Sequence, residues 1–315
     1  MADFLTHVLL SDDVIDKIES RRILEGVTKK RALFRLGAQG PDPLFFYNCF
    51  PGNGKGELRT LGDTMHDEST GAFLKYGFER LKDVSWDDDW MELAVYLAGF
   101  ICHFTLDRMI HPYVNWAEKR WIWAIDGTPV RTTHMKLEIS LDVLLWKEKR
   151  GTPAHKVKTR KIIDIGKQWP ESIQDFLLDA FEAVYHVETN KRALSKVLGD
   201  YYRGHGLLYD PKGWKKRLIN WLDSFTGGGI KPAKSPYPVK AEETIDWANK
   251  KRRTWTNPST DGEDHQESVE EILNKASFEA ANHINAVFAR ILKHEPIDDL
   301  FSDISYSTGL PCRGT

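Results

Sequence analysis

His103, Asp107 and His111 stand at four-residue spacing in AGFICHFTLDRMIHPYV, and His134 and Glu138 repeat that spacing in THMKLE. Imidazole and carboxylate groups are the donors that hold zinc, and they accept iron or manganese as well. A histidine followed four places later by an acid is expected roughly 1.6 times by chance in this composition. It occurs three times, so a single pair says little. The third, His294 and Asp298, has Pro296 inside it and reads as a chance match. The triple His-x3-Asp-x3-His is much rarer and carries more weight. Residues four apart lie near one helical face, and eight residues rise about 12 Å along the axis. Zinc sits only about 2 Å from its ligand atoms. His103 and His111 therefore do not easily share one ion, and two ions with Asp107 between them satisfy the spacing. Further donors must come from elsewhere: His134 and Glu138 as a pair, His66 in DTMHDE, and Asp42 in GAQGPDP. On spacing alone the same groups could be packed core residues, with Asp107 paired to Arg108 or to a neighbouring lysine.

The elements that must position these residues read as helices. The strongest pattern runs from Asp87 to Ile110, with Trp90, Leu93, Ala94, Leu97, Ala98 and Ile101 forming a wide apolar stripe, and Pro112 is expected to end it. Further helices are expected over 12–24, 70–82, 133–149, 170–190, 190–202, 214–225, 242–254 and 267–293. Segments 37–56 and 226–238 are rich in Gly, Pro or Asn and read as loops. No stretch keeps the period of a strand, and no internal repeat is visible. The fold class is all-α, read as a single multi-helix domain over 1–315, with 227–238 a surface loop.

The chain has 315 residues, 41% hydrophobic and 29% charged, which excludes disorder, and its formal net charge of -2 leaves no basic footprint for duplex nucleic acid. Three cysteines fit neither a disulfide scaffold nor a thiolate metal motif. The start, MADFLTHVLLSDD, lacks the pattern of a secretory signal, and the most apolar stretch, LAVYLAGFICH, falls short of a membrane span, so the chain reads as cytoplasmic.

In order along the chain, His7 in FLTHVLL, Asp42 in LGAQGPDPLFFY, His66, His103, Asp107, His111, His134 and Glu138 resemble the ligand series of the bacterial zinc-dependent phospholipase C family, a pattern related to that of fungal single-strand nucleases. The resemblance is firm over residues 1 to about 145. The closing FSDISYSTGLP is more weakly similar to the tail of some relatives. The family implies an all-helical fold holding two to three zinc ions. One ion would take Asp42, His66, His103 and Asp107, and a second His111, His134 and Glu138. A third would take His7, Asp107 and a free amino terminus. Family enzymes begin on a tryptophan exposed by signal removal, and here Ala2 or Met1 would have to serve. The implied reaction is hydrolysis of a phospholipid or smaller phosphodiester, with Asp42 as ligand, general base or both.

Phe45, Phe46 and Tyr47 follow Asp42 and either hold a quaternary ammonium head group by cation–π attraction or belong to the core. Trp116, Trp121 and Trp123 likewise suit a cleft wall, transient contact with a lipid surface, or core packing. The alternative functions are a nuclease or nucleotidase, the same site recruited to another hydrolysis, and a non-catalytic metal-stabilised scaffold.

Overall fold

The computed structural model describes residues 4–50, 56–83, 87–120, 122–225, 236–260 and 262–312. Twelve α-helices occur among them. They are α1 (Phe4–Ile15), α2 (Arg21–Lys29), α3 (Arg31–Gly37), α4 (Glu57–Asp67), α5 (Thr70–Asp83), α6 (Asp88–Lys119), α7 (His134–Arg150), α8 (Thr159–Ile162), α9 (Glu171–Tyr185), α10 (Lys191–Leu208), α11 (Trp214–Phe225) and α12 (Val269–Leu292). The only strands among the described residues are two short antiparallel pairs, Ile122–Trp123 with Pro129–Val130 and Trp255–Thr256 with Asp264–His265. The fold class is all-α, as the patterning implies.

Helix α6 is the axis of the fold, and α1, α3, α5, α7, α9 and α12 pack around it. Its start is fixed by Asp87, whose carboxylate accepts from the backbone N–H groups of Asp89 and Trp90, while Asp88 and Asp89 complement the helix dipole. By length and composition α6 could cross a membrane, but 89% of its most apolar window is buried in protein, as in a core helix. Its expected end at Pro112 does not occur. Proline removes one backbone bond and crowds the carbonyl four residues back, here that of Arg108. Burial of Ile110, His111, Pro112, Tyr113 and Val114 on all sides outweighs that loss. The Arg108 carbonyl instead lies against Gly309, where a Cβ would come within 2.5 Å of it, and Gly309 has φ +71°.

The close approach of α3 to α6 depends on two glycines. A Cβ on Gly99 would lie 2.1 Å from the Phe34 carbonyl oxygen, and one on Gly37 would lie 2.2 Å from that of Tyr96. This contact brings the turn after α3 onto the middle of α6, and the 3-10 turn Asp42–Phe46 follows from it.

The sequence places one helix over 12–24, whereas α1 ends at Ile15 and α2 begins at Arg21. Val14, Ile15, Ile18 and Ile23 all face the core from two helices and their link, which together imitate a single period. The helix expected over 242–254 is also absent. There Asp246 accepts from the N–H groups of Lys250 and Lys251, and Asn249 bonds both the N–H and the carbonyl of Arg253. These side chains replace the helical ladder, and Asn249 and Arg252 take positive φ. Of the expected loop 226–238, residues 226–235 lie outside the described residues.

Helix α7 anchors the first turn of α1. Asp142, fully buried, accepts from Leu5 N (2.8 Å), Thr6 N (2.8 Å), Thr6 Oγ1 (2.6 Å) and Tyr237 OH (2.6 Å). Two of these donors are the unpaired N–H groups that any helix start leaves over. Asp12 ties the other end of α1 to Arg31, Arg35 and Arg150. Asp142→Ala strands four buried donors at once, so a loss of about 3 kcal/mol is expected. Thermal unfolding would show it as a midpoint lowered by several degrees, and a midpoint unchanged from the parent would refute the anchoring role.

Candidate metal centre

All eight donor residues named from the sequence converge on the interior of the helical assembly. His7 comes from α1, Asp42 from the turn after α3, and His66 from the last turn of α4. His103, Asp107 and His111 come from consecutive turns of α6, and His134 and Glu138 from the first turns of α7. His134 is partly exposed and the other seven are buried. Glycine again sets the spacing: at Gly40 a Cβ would lie 2.2 Å from the His103 ring, and φ there is +53°.

Three donor groups result, each with its ligand atoms within 4.8 Å of one another: His7, His103 and Asp107; Asp42, His66 and His103; and His111, His134 and Glu138. Asp107 stands at the junction. Its Oδ1 is 3.1 Å from His7 Nε2. Its Oδ2 is 3.4 Å from His103 Nε2, 3.8 Å from His66 Nε2 and 3.7 Å from His111 Nδ1. His66 Nε2 is 3.4 Å from Asp42 Oδ1, and Glu138 Oε1 is 3.0 Å from His134 Nε2 and 3.6 Å from His111 Nε2. Two ligands on one tetrahedral zinc are about 3.4 Å apart. These separations therefore suit donors arranged around cations.

The hydrogen-bond inventory supports that fit. Both nitrogens of His7 and His103, both oxygens of Asp107, and Nε2 of His66 and His111 are buried and make no hydrogen bond among the described residues. Each such atom costs about 1–3 kcal/mol if it stays unsatisfied, and coordination removes that cost at one nitrogen of each ring and at the carboxylate oxygens. The ring nitrogens that do bond set the tautomers. His66 Nδ1 donates to the Gly62 carbonyl at 2.7 Å and His111 Nδ1 to the Tyr306 carbonyl at 2.8 Å. Nε2 is thereby left as the donor atom in both rings. His134 Nδ1 faces Glu118 at 3.4 Å.

Electrostatics follow the same map. Burial pushes the Asp107 carboxyl up, but the surrounding imidazoles of His103, His111 and His7 hold it well below the usual carboxylate range. Burial also pushes Glu138 up, and nearby positive charge, the facing His111 and His134 included, holds it down to about 2. Burial holds the His103 imidazole down to about 3 and lowers that of His111. In His7 and His66 burial is outweighed by Asp107 and Asp42, which raise the imidazoles. Asp107 and Glu138 are thus kept ionised and His103 neutral, as a cation needs, whereas the raised His7 and His66 imidazoles must give up a proton before they can ligate.

Three contributors were not singled out in the sequence. Glu118 and Asp142 lie on the helices already named, and Asp142 follows Glu138 at the same four-residue spacing. Tyr306 comes from the tail. Its N–H donates to the His66 carbonyl at 2.7 Å, and its ring lies 5.5 Å from that of His66 and 5.2 Å from that of His103. Ser305 Oγ donates to Asp67, Asn115 to the Ser307 carbonyl, and Thr70 to the Ile304 carbonyl. The tail is thus stitched over the donors of α4 and α6.

The aromatic residues divide. Phe46 is core: it packs against Tyr201 and His205, which corrects its reading as part of a substrate face. Phe45 is half-buried with its ring 5.3 Å from His66, and Tyr47 is half-buried under the Lys196 ammonium. Trp116 stacks on Tyr113 and Trp123 lies under Arg253. Trp121 and the amino terminus expected to complete a third site lie outside the described residues.

Searches of curated proteins and of solved structures return no match. A family profile described as zinc dependent phospholipase C matches residues 6–188, a span that holds all eight donors and ends well before Tyr306. With more than half of the chain matched and the donor series intact within the match, the protein belongs to the zinc dependent phospholipase C family.

Proposed function

We propose that this chain is a zinc-dependent phosphodiester hydrolase of phospholipase C type, acting on a phospholipid or a smaller phosphodiester. The observation that carries the reading is the convergence of His7, His66, His103 and Asp107 at spacings that suit cations, with the Nε2 atoms of the three rings and both Asp107 oxygens buried and without a hydrogen bond among the described residues. Asp42, His66, His103 and Asp107 would hold one ion and His111, His134 and Glu138 another, with His7 and Asp107 serving a third. Zinc in such a site supplies Lewis-acid polarisation of phosphoryl oxygens and activation of water.

The protein's own share is orientation and charge. The Gly62 and Tyr306 carbonyls fix the rings of His66 and His111. Asp42, 3.4 Å from His66 and held at the end of the tight α3–α6 approach, is the carboxylate we assign as ligand and proton acceptor. Phe45 offers a half-buried aromatic wall beside His66, suited to an apolar or quaternary ammonium group.

The test is elemental mass spectrometry on protein purified without chelator or an amino-terminal tag, followed by turnover of a choline phosphodiester and of single-stranded DNA. Two to three zinc ions per chain, with both metal and choline phosphodiester turnover lost after chelation and restored by zinc, is the expected result. Preferential cleavage of DNA would transfer the site to the nuclease reading. Protein that takes up no metal would overturn the proposal.

A further inference from the structure

Helix α11 presents an apolar stripe to solvent. Trp214, Leu218 and Trp221 are 55%, 44% and 56% exposed. At 100° per residue they fall within about 60° of one another on the helix surface. Val239, 48% exposed, packs beside Gly213 just before the helix, and Leu207, 59% exposed, ends α10 where its carbonyl accepts from Lys215. The helix is held firmly, since Lys215 Nζ donates to the carbonyls of Leu207 and Tyr209 and Lys216 N donates to Asp210. A soluble surface gains nothing by fixing two tryptophans and two leucines outward, so the face fits a partner.

Charge identifies the partner. From Arg203 to Trp221 the chain carries five cationic side chains, Arg203, Lys212, Lys215, Lys216 and Arg217, and the single acid, Asp210, is fully buried. Around the stripe cations outnumber acids, with Lys212 and Arg217 exposed and Arg203, 73% exposed at its side chain, paired to buried Asp200; Asp223 follows in the helix sequence and exposed Glu242 and Glu243 follow Val239. A second copy placed symmetrically on this face would set cations against cations. An apolar stripe bounded by tryptophan and flanked by lysine and arginine matches the interface of an anionic bilayer, where indole rings sit at headgroup level and cations meet acidic lipids. We infer that α11 and the end of α10 form a docking surface for anionic membranes, separate from the metal centre.

The experiment is flotation of the full chain with phosphatidylcholine vesicles made with and without phosphatidylserine. Partition should be at least about tenfold higher on the phosphatidylserine vesicles and should fall with added salt. Trp214→Ser/Leu218→Ser/Trp221→Ser and, separately, Lys212→Glu/Arg217→Glu should each lower that partition at least about tenfold. Both variants should keep the zinc content and circular dichroism of the parent. Equal partition on the two vesicles, or parent-like partition by both variants, would overturn the inference. So would a dimer in light scattering that the triple variant dissociates, since that would assign the face to a second copy.

Discussion

Asparagine at Asp107 is expected to lower phosphodiester turnover by at least about a thousandfold, roughly 4 kcal/mol of barrier, and to cost the protein at least one zinc ion per chain. The substitution keeps the side-chain volume and removes the charge. It does so where that charge serves most donors at once, because His7, His66, His103 and His111 all have a ring nitrogen within 3.1–3.8 Å of the carboxylate. Replacing a peripheral donor such as His134, which is partly exposed and tied to a single donor group, is expected to remove less metal. Elemental analysis beside a turnover assay, with circular dichroism as the folding control, reads all of this. A folded Asp107→Asn protein with parent zinc content and turnover would remove Asp107 from the centre of the site.

Alanine at Gly99 is the second large effect, this one on stability. The new Cβ would stand 2.1 Å from the Phe34 carbonyl oxygen and 2.9 Å from Ala38 N, both of them backbone atoms of α3 and its exit. Real Cβ contacts do not come that close, so the helices must separate along their whole contact. Overpacking of a core costs about 1–3 kcal/mol, and a backbone clash belongs at the upper end or beyond. A loss of about 3 kcal/mol is expected, seen as a midpoint lowered by roughly 6–12 °C. The same shift moves the turn that carries Asp42, so metal should be lost from the Asp42, His66 and His103 group before the His111, His134 and Glu138 group. Gly199→Ala in α10 is the control: nothing lies within 4 Å of a Cβ there, and the exchange should be neutral or stabilise by up to about 1 kcal/mol. If Gly99→Ala unfolds at the parent temperature, the glycine contact is not what seats α3.

The donor residues were legible because a metal site on helices writes itself at four-residue spacing, and α6 and α7 hold five of the eight donors. The helices with a one-sided apolar stripe were legible for a similar reason. Helix α1 was not, because it is buried on nearly every side and so has little period to read. Helix α4 does carry a one-sided stripe through Leu58, Leu61 and Met65, but it is short, has Gly62 and His66 among its buried positions, and is not among the helices expected from the patterning. Pro112 misled because a local rule met a helix packed on all sides. Segment 242–254 misled because the patterning did not weigh Asp246 and Asn249 as competitors for backbone N–H groups. Tyr306 was beyond reach for another reason: it acts on His111 through a main-chain carbonyl, which every residue has, and no side-chain pattern marks it.

That carbonyl has a consequence for the order in which the protein is made. Tyr306 follows His111 by 195 positions. At typical synthesis rates of about 5–20 residues per second, roughly 10–40 s separate the two on the ribosome. Every donor residue has emerged long before the group that fixes the His111 tautomer and covers His66 and His103. Until the tail folds back across α4 and α6, a nascent chain lacks the hydrogen bonds that Tyr306 gives to His66 and His111. The centre is completed by a late segment of the chain, and a message cut short before residue 306 yields a chain with all eight donors but without the carbonyl that fixes His111.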